Sequence, residues 1–451
     1  MSPTSPPPIL LLPDELLIEI TAVQPQKSLT PEPPSEWVLS HVCSRFRRAV
    51  TGACTLWTRI VVDLCCDTSA ELFRLYLKRS AAWEMDVTLR AMDSDLPAQK
   101  GLQYLSPHVG RIERLTIIVE ARQALETILS SLPNVAMPAL QHLEIENSSD
   151  RDIDLLDLSP LKLPNITCLK MTRCTPSFPP LQWMRALTHL HLEDNPYPVR
   201  ENSDIFRFIT TQHTSLVYLY LDLMKAIFPL GSGIVSQSLT HLDLEFNEGE
   251  TNGLLNQLAS FDTPQLTHLG LHCAHGDQLS FLLNSNMQST FPAVTSLTID
   301  DLGKLCCDWT PGAHRDYAPV KPPLRLFPAL SSLTLIRECL TPRMVSDLFG
   351  PGSQPWLELE VLAIRPRPAE IENVYRTLQE VVCWKRSQQE SLPTFKLSAN
   401  LFEREFWAEN GVVVELLADY GMIGSNGDRD SSTWQWYLAD LRVACCIAHE
   451  I

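Results

Sequence analysis

A short phrase of aliphatic residues, of the form L-x-x-L-x-L, recurs ten times along this sequence. Its second half alternates aliphatic and mostly polar residues, and this period of two places both aliphatic side chains on one face of a short β-strand. One such unit cannot bury its aliphatic face alone, so neighbouring units must stack and share a core. The middle leucines of the ten phrases are Leu115, Leu143, Leu169, Leu190, Leu219, Leu242, Leu269, Leu297, Leu333 and Leu362.

The spacing of these phrases, and the pattern between them, predict the fold. Successive middle leucines lie 21 to 36 residues apart, which fits a leucine-rich repeat of roughly 20–29 residues with one longer unit. Between phrases the apolar period changes to that of a helix, at 121–132, 203–212, 341–349 and 371–382. We therefore predict an α/β protein in which a curved solenoid has a parallel sheet inside and helices outside.

The regular phrases define the expected domain boundaries. The solenoid is expected to span 64–397, and 398–451 is expected to form a C-terminal capping region with a helix at 433–448. Its longest unit carries a proline-rich insertion at 303–323, which is either a surface excursion or a loop that contacts a partner. Residues 1–11 are rich in proline and are expected to be disordered.

Two amphipathic segments precede the repeats. Residues 12–20 begin with a proline suited to a first helical turn, followed by two acids that favour the helix dipole. Residues 38–47 place four apolar side chains together at helical spacing, and Leu-Trp-Thr-Arg-Ile follows at 56–60. Between the two segments lies a proline-rich insertion, 21–36, whose prolines forbid an uninterrupted helix.

This arrangement resembles an F-box, with an opening L-P-x-E-L-L-x-x-I, a helix of the form L-x-x-V-C-x-x-F-R and a closing L-W-x-x-I, over 12–63. An F-box followed by leucine-rich repeats is similar to many fungal F-box proteins of the basidiomycete type. The resemblance implies that the F-box helices bind a Skp-type adaptor, while the repeats select a protein substrate for a cullin-RING ubiquitin ligase. The positions that it assigns to the adaptor-binding region are Leu12, Pro13, Leu16, Leu17, Ile20, Leu39, Val42, Cys43 and Phe46.

For these nine residues the sequence leaves two interpretations open. In the first, Leu12 to Ile20 contact the adaptor while Leu39, Val42, Cys43 and Phe46 form the packing side of the second helix. In the second, all nine pack against one another and against the first repeat. The proline-rich insertion is a departure from the family, and it is expected to leave the adaptor surface either altered or lost.

The residues that alternate with the leucines form the second candidate site, on the concave side of the solenoid. Acids outnumber bases among them, and tyrosines and histidines occupy the middle, which suits a basic polypeptide. The alternative is that they are solvated side chains without a partner. The predicted substrate-binding residues are Glu144, Glu146, His191, Glu193, Tyr218, Tyr220, Asp222, His241, Asp243, Glu245 and His272.

Composition and motifs narrow the functional classes. The net charge of −17 disfavours nucleic acid, and no apolar run reaches the length of a membrane span. The sequence contains no nucleophile elbow, zinc-protease motif or P-loop, and its thirteen cysteines include no C-x-x-C pair. We expect no cofactor, no metal site and no catalytic residue. The histidines recur because several repeats share the phrase T-H-L, so their recurrence does not require a metal or catalytic site.

The sequence therefore predicts a non-catalytic substrate receptor of a ubiquitin ligase, located in the cytoplasm, the nucleus or both. Its start lacks the basic flank and apolar core of a secretory signal. The competing predictions are a leucine-rich-repeat scaffold that does not engage the ligase and, at lower weight, an enzyme whose site is assembled from scattered residues.

Overall fold

The chain builds one long parallel sheet that is flanked by helices at its N-terminal end. The computed structural model describes residues 9, 12–23, 35–65, 67–91, 99–132, 137–148, 153–158, 161, 163–177, 186–193, 215–222, 234–245, 261–272, 291–300, 327–336, 359–365, 371–388, 394–398 and 414–417. The helices are α1 (Asp14–Val23), α2 (Ser35–Ser40), α3 (Ser44–Gly52), α4 (Asp67–Arg79), α5 (Gln99–Leu105), α6 (Arg122–Ser131) and α7 (Ile371–Ser387). Short 3-10 helices occupy Cys54–Trp57 and Ser106–Arg111.

The sheet contains fourteen strands, which lie side by side in chain order and pair in parallel throughout. Among the described strands, the first and the last do not pair with each other, so the sheet is open rather than closed into a barrel. The strands are β1 (Arg59–Asp63), β2 (Met85–Ala91), β3 (Ile112–Val119), β4 (His142–Asn147), β5 (Cys168–Thr172), β6 (His189–Glu193), β7 (Tyr218–Asp222), β8 (His241–Glu245), β9 (His268–His272), β10 (Ser296–Asp300), β11 (Ser332–Ile336), β12 (Val361–Arg365), β13 (Thr394–Ser398) and β14 (Val414–Leu417).

The predicted strand register is confirmed. Each of the ten phrases contributes one strand, and equivalent leucines are neighbours across the sheet, as in Leu219, Leu242 and Leu269. All aliphatic residues of the ten phrases are at most 8% exposed, and they join one continuous core that runs from Val50 to Phe395. Since a buried leucine contributes about 1.5–3 kcal/mol, this face of the strands is the main source of stability.

A buried turn introduces several of the strands. In the Phe-Pro-Ala turns, the Val294 amide donates to the Phe291 carbonyl (3.4 Å) and the Leu330 amide to the Phe327 carbonyl (3.2 Å). Proline suits the second position of such a turn because its φ is already fixed. The two phenylalanine rings are buried and stack with centroids 6.1 Å apart, so the turns of successive units also pack together.

Two of the four predicted helices between strands fall on described residues, and both are confirmed. Helix α6 buries Leu125, Ile128 and Leu129 in the common core, and α7 adds Val374 and Leu378 to it. The helices predicted at 203–212, 341–349 and 433–448, and the insertion at 303–323, lie outside the described residues.

The helix predicted over 38–47 is wrong, because two helices separated by a turn occupy this stretch. Helix α2 ends at Ser40, and the Arg47 guanidinium donates to its terminal carbonyl (2.9 Å), which satisfies an acceptor that helix ends leave unpaired. Cys43 is extended, with φ −156, and α3 starts at the next residue.

The sheet extends beyond both ends of the segment expected to form the solenoid. Strand β1 starts the sheet inside the segment that was expected to belong to the N-terminal helical unit, and β14 extends the sheet into the expected capping region. Helix α1 continues to Val23 and α2 starts at Ser35, so both helices enter the proline-rich insertion expected at 21–36.

The sequence did not predict two additional short sheets, each made of two parallel strands. Ile153–Asp157 pairs with Cys174–Ser177, and Ile234–Val235 pairs with Phe261–Asp262. Within the described part of the chain, none of the helices combines the length and apolar character that crossing a membrane requires.

A polar and aromatic joint connects the N-terminal helices to the sheet. Trp57 is fully buried, donates from Nε1 to the Val50 carbonyl (2.8 Å) and meets Tyr76 edge-on at 4.9 Å. The Arg79 guanidinium lies 4.2 Å from the Trp57 ring centroid, and the Tyr76 hydroxyl donates to Glu36 on α2. Burial, with Glu36 beside it, raises the pKa of Tyr76, which therefore remains a hydrogen-bond donor.

Candidate functional site

Opposite the leucines, residues of strands β4 to β9 form three columns across the sheet; we call them the polar face. The register makes each residue the neighbour of its equivalents on the adjacent strands. The first column is His142, Cys168, His189, Tyr218, His241 and His268; the second is Glu144, Lys170, His191, Tyr220, Asp243 and Gly270; the third is Glu146, Thr172, Glu193, Asp222, Glu245 and His272.

Aromatic rings stack along these columns. His241 and His268 are nearly parallel with centroids 4.1 Å apart, and His191 and Tyr220 stack at 4.0 Å. His189 stacks on Tyr218 at 5.8 Å. These distances follow from the strand spacing of about 4.8 Å, which brings equivalent flat rings into contact. The polar face is therefore a packed surface and not a set of independently solvated side chains.

Asp243 lies at the centre of the polar face because Gly270, its neighbour on β9, has no side chain. A Cβ atom at Gly270 would lie 1.8 Å from Asp243 Oδ1, so the carboxylate fills the space that the glycine leaves. The Tyr218 hydroxyl donates to Asp243 Oδ2 (2.9 Å), and His272 Nε2 is 3.5 Å from Oδ1. Three strands thus fix the orientation of this one carboxylate.

Two further carboxylates are oriented in the same way. Tyr220 donates its hydroxyl proton to Glu245, and both side chains are buried. Glu193 Oε2 lies 3.1 Å from His191 Nε2 and accepts a hydrogen bond from the Thr172 hydroxyl at 3.3 Å. Since tyrosine and threonine are neutral donors, they position these carboxylates without cancelling their charge.

The polar face also contains a buried cation. Lys170 Nζ is 2.9 Å from Glu144 Oε1, and the lysine is only 8% exposed. Burial acts to lower the pKa of Lys170, but Glu144 and Glu193 outweigh it and hold the pKa above its usual value. Beside it, burial raises the pKa of Cys168 to about 11, so this residue is a thiol at neutral pH.

A threonine before each of three histidines holds the orientation of the ring. The pairs are Thr188 with His189, Thr240 with His241 and Thr267 with His268, each with Oγ1 2.8 Å from Nδ1. In each pair the hydroxyl also points at a backbone carbonyl, as Thr188 does at Thr167 (3.1 Å). Each threonine thus holds its histidine ring in place through Nδ1.

Burial lowers the pKa of four histidines of the polar face. The pKa of His189, His191 and His268 falls below the usual value, and burial together with the neighbouring His268 lowers that of His241 to about 4. These four rings are therefore neutral at pH 7. Protonation of one ring in the His241–His268 stack would also place a positive charge against its neighbour.

Burial by itself raises the pKa of a carboxyl, but hydrogen bonds reverse the effect at two acids. His191 and Thr172 hold the pKa of Glu193 below its usual value, and His272 and Tyr218 do the same for Asp243. Both acids are therefore anions at neutral pH. The side chains described on the polar face comprise five carboxylates against one ammonium group: Glu144, Glu146, Glu193, Asp243 and Glu245 against Lys170.

The structure brings together ten of the eleven predicted substrate-binding residues. For the eleventh, Asp222, only the backbone is described, and it pairs with Glu245 in the ladder. The sequence prediction overlooked Gly270 and the three threonines. A glycine in the middle of an otherwise regular strand and the recurring T-H-L phrase were the available signals.

The nine predicted adaptor-binding residues separate into a buried and an exposed group. Leu17 and Phe46 are buried, and Leu12, Leu39 and Cys43 are half-buried. Pro13, Leu16, Ile20 and Val42 are exposed. The interpretation in which all nine pack within the protein is therefore wrong, and so is the expectation that Val42 faces the packing side.

Other exposed apolar side chains lie on the same helices. Trp37 and Val38 on α2 join Leu16, Ile20 and Val42, and the five are 36–59% exposed. Helices α1, α2 and α3 contact one another, so these residues belong to one helical unit, and the Arg45 guanidinium fastens it by donating to Asp14 Oδ1 (2.9 Å) on α1. We call these five residues the apolar patch.

Over the residues that the structure describes, no group of three or more His, Cys, Asp or Glu side chains could hold a metal ion. The six described cysteines, at positions 43, 54, 65, 168, 174 and 383, are thiols.

The fold defines the class of protein: an α/β protein with a repeat-like architecture and a long, open, parallel sheet. Comparison of the sequence with protein-family models and with curated proteins gives no match.

Proposed function

We propose that this protein is the substrate-recognition subunit of a Skp/cullin/F-box type ubiquitin ligase, active in the cytoplasm or nucleus. Its N-terminal helices bind the adaptor through the apolar patch. The leucine-rich-repeat sheet binds a protein substrate through the polar face. The protein itself performs no chemistry, and the ligase partners supply the catalysis.

The observation that carries this proposal is the apolar patch. A folded unit that leaves Leu16, Ile20 and Val42 in water forgoes about 25 cal/mol for each Å² of apolar surface it could bury. Such surfaces on soluble proteins mark sites of protein association. The patch includes three of the positions that the F-box resemblance assigns to the adaptor-binding region, which favours an adaptor over other partners.

The arrangement of the two surfaces supports the same function. The N-terminal helices and the polar face are connected through the Trp57 joint and a shared core, but they use different residues. One chain can therefore hold an adaptor and a second polypeptide at the same time, as a substrate receptor requires.

Capture of a purified fungal Skp-type adaptor by the full chain tests the proposal. We expect a complex with the intact protein and its loss in the double variant Leu16→Asp, Ile20→Asp, because two charges would then face an apolar interface. Val235→Asp is the matched control, since Val235 is 54% exposed and lies on a short strand far along the chain. The control should keep the complex.

A scaffold that does not engage the ligase is the second candidate. The break between α2 and α3 favours it, because the F-box pattern implies one helix across that stretch. Intact protein that fails to capture the adaptor while still folding would establish this alternative.

A further inference from the structure

Besides carrying a negative charge, the polar face uses many of its hydrogen-bond donors internally. The Tyr218 and Tyr220 hydroxyl protons are both used inside the face, on Asp243 and Glu245. The Lys170 ammonium is engaged by Glu144. Many of the available donors are thus consumed by internal hydrogen bonds.

Acceptors remain. His189, His241 and His268 use Nδ1 on their threonines, and no described residue forms a hydrogen bond with their Nε2 atoms. His268 is exposed and the other two are half-buried. The carboxylates of Glu193 and Asp243 keep their charge because neutral groups orient them. Hydrogen bonding and charge therefore favour the same kind of partner.

On the basis of the proposed function, we propose that the polar face binds an extended cationic segment of the substrate, whose lysine or arginine side chains donate to Asp243 and Glu193. Complementarity of charge and of donors with acceptors identifies this occupant. From β6 to β9 the face spans three strand spacings, about 14 Å. An extended peptide covers that distance with about four residues, so two or three alternating cationic side chains can engage it.

Fluorescence anisotropy with the full chain tests this assignment. The probe is a labelled nine-residue peptide of alternating lysine and serine, and the comparison peptide replaces each lysine with glutamate. We expect the lysine peptide to bind and the glutamate peptide not to bind. The double variant Asp243→Asn, Glu193→Gln should weaken lysine-peptide binding by about tenfold, since each removes one close charge pair.

The matched control is Glu71→Gln, Glu372→Gln, which removes the same charge from exposed side chains on α4 and α7. It should change binding by less than about twofold. His268→Lys puts a cation on an exposed position of the polar face without changing a buried group, and it should weaken binding by about fivefold. This variant provides the test if the double variant Asp243→Asn, Glu193→Gln does not fold.

Equal weakening by the two double variants would overturn the proposal, because it would reduce the binding to net charge. The proposal would also be overturned if neither peptide binds, or if His268→Lys does not weaken binding of the lysine peptide. Adaptor capture by the same preparations separates this inference from the proposed function. If the protein captures the adaptor but does not prefer the lysine peptide, only the cationic-segment proposal is rejected. If it prefers the lysine peptide but does not capture the adaptor, only the ligase role is rejected.

Discussion

The repeat strands bury their aliphatic side chains, whereas the N-terminal helices leave several of theirs exposed. In the strands, every aliphatic residue of the ten phrases is at most 8% exposed, whereas Leu16, Ile20 and Val42 of the helical unit are 42–59% exposed. The strands bury their leucines because each unit has a neighbour on both sides. The N-terminal helices pack against one another and meet the rest of the described chain at the Trp57 joint, so part of their apolar surface stays uncovered. The difference teaches that the repeat completes its own core, while the helical unit leaves apolar surface exposed.

Leu242→Asp should have the largest effect. It removes a buried leucine from the centre of the sheet and places a carboxylate between Leu219 and Leu269. The lost burial and the desolvated charge together should cost about 5 kcal/mol or more. Urea unfolding followed by circular dichroism should show a large loss of stability or no folded protein.

The neighbouring residue on the opposite face is the control for this change. His241→Asn should cost no more than about 1 kcal/mol, because the ring is half-buried and loses mainly its stack on His268. Equal losses for the two variants would contradict the assigned faces of the strand.

Trp57→Ala should have the second largest effect, because it removes the joint between the two regions. The lost volume and the unpaired Val50 carbonyl should cost about 3–5 kcal/mol. Limited proteolysis should then cut the N-terminal helices before the sheet. A variant that resists the protease as well as the intact chain does would show that the helices are held by other contacts.

Acid should weaken the repeat region by a smaller amount. The pKa of His241, and those of His189, His191 and His268, are lower in the folded protein than in the unfolded chain. The unfolded state therefore binds more protons below about pH 6.5, and stability present at pH 7.5 is lost as the pH falls toward the folded values. After solvent screening, His241 should account for about 1 kcal/mol between pH 7.5 and 5.5.

Unfolding experiments at a series of pH values check this expectation. His241→Gln should flatten the decline in stability between pH 7.5 and 5.5, because glutamine does not titrate. The account of the neutral histidine stack fails if the variant and the intact protein show the same slope.

Ile20→Asp should have the smallest effect on stability. The side chain is 46% exposed, so the free energy of unfolding should change by less than about 0.5 kcal/mol. A loss as large as that of Leu242→Asp would show that the apolar patch is part of the core.

The sequence predicted the sheet well because its signal is local and repeated. Leu242 and Leu269 are recognisable from spacing alone, and burial follows from that spacing. The split between α2 and α3 could not be read in this way, since Leu39, Val42, Cys43 and Phe46 also satisfy the helical period. The Arg47 contact with the Ser40 carbonyl, which stabilises the break, depends on three-dimensional geometry.

The residues that belong to the polar face were predictable from the sequence, but the contacts between them were not. Alternation with the leucines identifies Asp243 and Tyr218 as residues of the polar face. It does not show that Gly270 makes room for Asp243, or that Thr240 holds the ring of His241 in place. The mid-strand glycine and the T-H-L phrase mark these positions, but the contacts depend on residues of neighbouring strands and cannot be read from one sequence.

Amide hydrogen exchange of the chain, alone and saturated with a Skp-type adaptor, tests most directly whether the helical unit and the sheet face serve different partners. The account predicts slower exchange in Asp14–Val23 and Ser35–Ser40 on adaptor binding, with no change in strands β6 to β9. Protection confined to those strands, or the absence of any complex, would contradict it.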